Sequence, residues 1–306
     1  MDDTNEGIKK TSPAQWGVIA LVIALTFGAL LYRYLRHERL DHSAAMFLGI
    51  PAILAIVLAL TPKAKSVTGG ILKGITLGLL IIAPVLGEGY LCILIASPLF
   101  YIVGIVVGLI VDWMRKKRAA TVSCVVLVLA PMSLEGVIPQ LTWSREEMVE
   151  VVRLVDSPAS AVEVALSQSP NLKTALPRYL RIGFPRPLEA YGTGLMLGST
   201  RTIHFAGAEG DPPGDLVMQV CERGPGFVRF KTVSDNSKLT QWIRWNSSEV
   251  RWIPVDATHT QVVWRIRFGR ELDPVWYFTP WERAAVRDVA TYLIAANATP
   301  ERAKKQ

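Results

Sequence analysis

Hydrophobic positions along the 306 residues follow two regimes: through residue 139 they run together, and beyond it they alternate with polar ones. The first part holds five apolar runs, at 16–34, 44–61, 69–86, 90–113 and 119–138, with almost no charge inside them. A helix of about 20 apolar residues crosses a hydrocarbon layer roughly 30 Å thick. The expected fold of this part is therefore a multi-span α-helical membrane region of about five helices. Only Gly87-Glu88-Gly89 separates the third and fourth runs, which predicts a tight helical hairpin. The uncharged stretch of the first run, Trp16 to Tyr32, is followed by Arg33 and lacks a small-residue cleavage site, so the run reads as a retained anchor and not as a signal peptide.

After a linker at 139–145 the pattern changes. Residues 149–155 are rich in branched side chains and read as a strand. Ser157 as cap with Pro158 in the first turn predicts a helix to about Gln168, and 169–176 a second, short helix. Gly183-Phe184-Pro185-Arg186-Pro187 forces an extended stretch. Alternation with turn residues at hairpin spacing then predicts strands at 191–197, 200–206, 215–222, 227–233, 241–253 with a break inside, and 260–268. Thr279-Pro280-Trp281-Glu282 reads as a capping box opening a last helix to about Asn297. Its apolar stripe, Trp281, Ala285, Val289, Leu293 and Ala296, must lie on the sheet.

The net charge of +7 divides into +4 before residue 140 and +3 after it, so no segment concentrates charge as a nucleic-acid-binding domain does. Cations are unevenly spread over the loops of the first part: Lys9, Lys10, Lys63, Lys65 and Arg115 to Arg118 fall on one side, Arg33, Arg36 and Arg39 on the other. The positive-inside bias puts the larger set in the cytoplasm. With five spans, 140–306 then lies on the non-cytoplasmic side of a bacterial-type plasma membrane. Cys92, Cys124 and Cys221 are too scattered for a disulfide framework or thiolate site, and the four histidines give no basis for a metal. Gly192 to Gly198 lacks dinucleotide-fingerprint spacing, and no motif implies a cofactor.

Strand, short helices, antiparallel meander and long C-terminal helix make a helix-grip arrangement. With Asp156-Ser-Pro-Ala-Ser-Ala-Val162, Gly183 to Pro187, Gly192-Thr-Gly194, Gly198-Ser-Thr-Arg201 and Asp273-Pro-Val-Trp-Tyr277, residues 145–297 resemble the START-like polyketide cyclase and lipid-transport superfamily (SRPBCC proteins). The resemblance implies an α+β domain with a cavity between sheet and C-terminal helix; 298–306 is a polar tail. The superfamily's functions range from lipid carriage to cyclisation, with no shared catalytic motif to carry over.

Six tryptophans lie between 242 and 281. On the last strand the period of two puts Val262, Trp264, Ile266 and Phe268 on the face toward the long helix, and Arg265 and Arg267 on the other. That face, with Trp252, reads either as the wall of an apolar pocket or as a filled core. Arg201 shares parity with Ile203 and Phe205, so it needs a buried carboxylate or an anionic headgroup. Trp276 and Tyr277, at the entry to the last helix, either gate the cavity or pack, and Trp281, on the apolar stripe of that helix, is a further candidate ligand contact. Glu88 is either an intramembrane site or an interfacial turn residue. The expected partners are the bilayer and a hydrophobic, lipid-like small molecule. The alternatives are a cyclase- or hydratase-like enzyme using the same cavity and a non-catalytic membrane scaffold.

Overall fold

The structure, a computed structural model, describes residues 64–86, 90–117 and 142–299 except 173, 178, 182–183 and 208–211. It also describes isolated positions between 16 and 23, at 56 and from 135 to 140. Apart from those positions, the expected spans at 16–34, 44–61 and 119–138, and the turn carrying Glu88, lie outside the described residues. The chain forms two compact units, Met1–Val128 and Leu129–Gln306.

In the first unit, α1 (Val67–Leu86) and α2 (Tyr90–Lys117) pack side by side. Among the described residues, one helix, over Ile93–Met114, is long and apolar enough to cross a membrane; the apolar part of α1, Val67–Ile81, is shorter. Two features hold the pair in antiparallel register. Gly104 and Gly108, four apart on α2, form the small-residue spacing that lets helix backbones meet. A Cβ at Gly108 would stand 2.6 Å from Thr68 Cα, and one at Gly104 2.4 Å from Ile75 Cδ1. At the open end, Asp112 of α2 accepts hydrogen bonds from Val67 N (2.9 Å), Thr68 N (3.0 Å) and Thr68 Oγ1 (2.6 Å). The first amides of a helix lack partners within it and carry its positive end. A carboxylate from the neighbouring helix satisfies both needs. Tyr101 and Thr76 share a hydrogen bond of 2.8 Å further along the contact.

The second unit is built on one seven-stranded antiparallel sheet: β1 (Glu146–Val155), β2 (Pro187–Tyr191), β3 (Thr200–Phe205), β4 (Gly214–Gly224), β5 (Phe227–Asp235), β6 (Ile243–Pro254) and β7 (Thr260–Arg270). Their spatial order is β1-β7-β6-β5-β4-β3-β2. The first two strands in sequence are thus the two edges, joined by α3 (Ala159–Ser167) and a segment whose described residues include one 3₁₀ turn, Tyr179–Arg181. The last helix, α4 (Val275–Leu293), ends in a π turn, Ile294–Ala298, and packs on β1 and β7. A curled sheet gripping a C-terminal helix is the helix-grip fold.

Every strand except β2 buries one face. Val262, Trp264, Ile266 and Phe268 are all buried. On the opposite face a row of alternating charge crosses five strands through Glu222, Arg229, Glu249, Arg265 and Glu150, each opposite the next in register. Arg229 meets Glu222 at 2.5 Å and Glu249 at 2.7 Å, and Arg265 meets Glu150 at 2.5 Å.

Several local expectations give way to the structure. The strand expected at 191–197 lies at Pro187–Tyr191 instead. Gly192 turns the chain at φ +91°, where a Cβ would stand 2.1 Å from the Thr200 carbonyl oxygen. Residues 169–176 form no helix among the described positions; Asn171 N donates to Ala296 O and Ser169 Oγ to Gly192 O, so tertiary partners take the groups a helix would use. Ser157 does not cap α3. Its hydroxyl donates to Asp156 O, and Pro158 occupies the cap position without a side-chain bond. The capping box at Thr279 is not one either, since α4 begins a turn earlier, after Pro274, leaving Thr279 and Pro280 inside the helix.

Candidate functional site

Between the sheet, α4 and the 172–187 segment lies a cavity of about 80 Å³. The sheet contributes Ile203, Phe205, Leu216, Met218, Ile243 and Trp245. The helix adds Ala285, Val286, Val289, Tyr292 and Leu293, and the connecting segment Leu172, Leu176, Leu180, Phe184 and Pro185. Residues two apart on β3 and β4 face the same side of a pleated sheet, and Ala285, Val289 and Leu293 recur at helical spacing, so local periodicity brings these side chains together.

Only two lining side chains carry a polar group, and both are satisfied: Tyr292 Oη donates to Leu172 O at 3.2 Å and Trp245 Nε1 to Ser248 Oγ at 3.2 Å. Burial raises the Tyr292 hydroxyl above its ordinary pKa, so it stays a neutral donor. Among the described residues, every buried side-chain atom without a partner, such as Arg201 Nε or Trp264 Nε1, belongs to a residue that does not line the cavity. The wall therefore presents hydrocarbon and aromatic surface with no unpaired donor or acceptor.

Of the residues singled out in the sequence, Ile203 and Phe205 line the cavity. Trp252, Trp264, Ile266 and Phe268 are buried in the filled core beside it: Trp264 faces Val151 and Val250 in register, and Trp252 faces Val262. Their period-two face is the inward one, and α4 packs directly on β1 and β7. Tyr277 stacks edge-on against Phe278 and Trp276, with centroids at 5.0 and 5.8 Å, and Trp281 is exposed. Glu88 is outside the described residues. The wall made by Leu172, Leu176 and Leu180 was not foreseen; leucines at every fourth place were its signal.

Arg201 is 4% exposed, yet among the described residues no carboxylate pairs with it. Its guanidinium donates to Leu166 O at the C-terminal end of α3, reaches Asn297 Oδ1 at 3.5 Å, and lies 5.0 Å from the centre of the Phe230 ring. The negative end of a helix and an aromatic face both attract a cation. Desolvation lowers its pKa to about 10, which leaves it charged at neutral pH. It ties α3, the sheet and the π turn together, away from the cavity wall.

A second polar cluster gathers where the linker enters. Arg270 is wholly buried, and its guanidinium donates to Trp143 O (3.1 Å), Ser144 O (3.2 Å), Leu272 O (3.2 Å) and Asp273 Oδ1 (2.8 Å), with Glu135 at 3.8 Å. Glu135 in turn accepts from Val275 N (3.1 Å), the first amide of α4. Close by, Glu282 is buried with no hydrogen-bond partner for either oxygen. Burial raises its pKa to about 7; the Leu272 amide and the Arg270 charge oppose that shift without reversing it.

No protein-family model matches the chain, and no curated protein sequence matches it. Among solved structures it is similar to norcoclaurine synthase from Thalictrum flavum in complex with dopamine and hydroxybenzaldehyde (14% identity over 48% of this chain and 84% of that one, TM-score 0.33). It is also similar to the Zhui aromatase/cyclase from Streptomyces sp. R1128 (18%, 52% and 94%, TM-score 0.34) and to a START superfamily protein from Mycobacterium smegmatis (12%, 52% and 97%, TM-score 0.33). Each of these likenesses covers about half of this chain.

Proposed function

We propose that this chain is a membrane-anchored START-like protein whose C-terminal domain holds a hydrophobic, lipid-like ligand between its sheet and α4. The observation that carries the reading is the cavity wall, in which every lining polar group is already bonded within the protein. Such a wall gains from displacing water by an apolar group and offers a charged or strongly hydrogen-bonding ligand nothing. The membrane part rests on the apolar α2 with its Arg115 to Arg118 sequel and on the further apolar runs of the sequence. Catalysis in the cavity would call for converging titratable groups. Among the lining residues Tyr292 alone titrates, and its hydroxyl is engaged.

At about 80 Å³ the cavity is far below the ~300 Å³ where drug-sized ligand sites begin. A lipid-sized ligand therefore enters by displacing part of the wall, and the described residues between 172 and 186 hold one 3₁₀ turn and no strand. The test is titration of the full chain, in detergent or nanodiscs, with an apolar fluorescent probe. Met218→Trp adds volume at the wall and is expected to abolish probe binding while costing no more than the ~1–3 kcal/mol of stability typical of overpacking. The outward-facing Arg267→Ala is expected to change nothing. Unchanged probe affinity in Met218→Trp overturns the cavity as the binding site.

A further inference from the structure

We infer that the linker end of the C-terminal domain is a lipid-docking surface, seated on the headgroup layer of an anionic bilayer through Trp143 and Trp276. The inference rests on the membrane-anchored reading above and extends it to a surface of this domain.

The Arg270 cluster gathers this end. Arg270 holds the Trp143 and Ser144 carbonyls, and Glu135 holds the first amide of α4. Trp143, Ser144 and Glu135 are therefore tied to the base of α4. Trp143 is 70% exposed, Val137 73% and Trp276 50%. A loose tail can fold its apolar side chains back; a clamped one cannot, so these side chains stay in water unless a partner covers them. The partner's chemistry follows from three observations. Indole combines a large apolar body with one N–H donor and is the side chain most at home at the boundary of acyl chains and headgroups. The uncharged run 119–134 immediately precedes Glu135 in the chain, so a bilayer is the one surface the sequence itself brings to this end.

Charge supplies the third. The acids of this end are turned inward, with side chains exposed by 16% at Asp273, 10% at Glu135 and 11% at Glu147. Arg244 and Arg283 face out, 59% and 53% exposed, and hold the less exposed Glu271 (29%) at 3.8 Å and Glu147 at 2.6 Å; Arg145 is 32% exposed and Arg270 is buried. Glu146 is the exposed exception, and it holds Asn246 Nδ2 at 2.8 Å. Outward arginines around tryptophans match a layer of anionic headgroups. The cavity lies toward the same end, because Pro187, Phe205, Leu216 and Ile243 stand where their strands reach it.

The test uses the full chain with Cys92, Cys124 and Cys221 replaced by alanine, reconstituted in vesicles of phosphatidylcholine with or without phosphatidylglycerol. Spin labels are placed singly at Trp276→Cys and at Ala257→Cys. Ala257 is an exposed turn residue at the far end of the β6–β7 hairpin, about 35 Å away. The ratio of relaxation by oxygen to relaxation by an aqueous nickel chelate is expected to be several-fold higher at 276 than at 257, to rise with phosphatidylglycerol, and to fall toward the value at 257 when Trp143→Ser is added. Equal ratios at 276 and 257 in a chain that resists alkaline extraction overturn the docking surface while leaving the membrane anchor intact. Loss of the chain on alkaline extraction overturns the anchor itself, and docking with it. Protection at 276 that persists in detergent and grows with protein concentration assigns the surface to a second copy of the chain and likewise overturns the proposal.

Discussion

Two glutamates show how differently one side chain is treated when buried. Burial alone would raise the Glu249 carboxyl, but hydrogen bonds from Arg229 and Arg251 outweigh it and hold the group below its ordinary range. Glu282 stands near a cation too, but Arg270 has already spent its donors on Trp143, Ser144, Leu272 and Asp273, and the Glu147 and Asp273 charges lie close. A carboxyl that keeps its proton to about pH 7 when folded and loses it near 4.5 when unfolded binds more protons in the native state between those values. Stability then falls as pH rises through that window and stays lower above it. The melting temperature of the full chain in detergent is expected to drop between pH 5 and 7.5 by this route. Glu282→Gln, which keeps the shape without the titration, is expected to remove that drop and to melt higher than the parent at pH 8. A variant as pH-sensitive as the parent would assign the drop to another group. The burial of Arg201 was legible from strand parity alone. Its partner was not, because the partner is a backbone carbonyl at a helix end, which no side-chain pattern announces.

At the scale of elements, the misread helix starts share a cause. Ser157-Pro158 and Thr279-Pro280 are local capping patterns, and neither is used as one. The caps that do operate come from afar: Asp112 serves α1 from 45 positions away, and Glu135 serves α4 from 140. A distant carboxylate leaves no trace in the window around the helix it caps, whereas strand positions, set by alternation within the strand itself, were legible to within a few residues for β1 and β3 to β7. β2 was misplaced where Gly192 turns the chain. Asp112 and the Gly104/Gly108 pair make the α1–α2 hairpin a single unit. Gly108→Leu must force the helices apart at Thr68, and Asp112→Asn removes the charge while keeping most of the shape. On titration of the chain from mild detergent into dodecyl sulfate, Gly108→Leu is expected to lose ~1–3 kcal/mol as an overpacked contact does, and Asp112→Asn ~0.5–2 kcal/mol as a lost cap. The exposed Leu109→Ala is expected to lose less than either. A Gly108→Leu hairpin as stable as the parent would contradict the close approach.

At the scale of the whole molecule, the loop cations give an expected orientation. With native cysteines replaced by alanine, an impermeant thiol reagent applied to intact cells is expected to label Ala257→Cys and spare Lys116→Cys, because the Arg115 to Arg118 cluster favours the cytoplasm. The opposite pattern would invert the orientation. The order of strands adds a matter of timing. The first strand to be made pairs with the last: Glu150 and Arg265, bonded across β1 and β7, are 115 positions apart. At 5–20 residues per second a ribosome takes roughly 6–23 s to cover that distance. Throughout that interval Val149, Val151 and Val155 have no sheet to lie on, and the chain ahead of them has already delivered its apolar runs. The domain cannot close until its final hairpin is out, so a nascent chain halted anywhere before Thr260 leaves an open edge strand, a template for pairing with a neighbour and a signal for quality-control proteases.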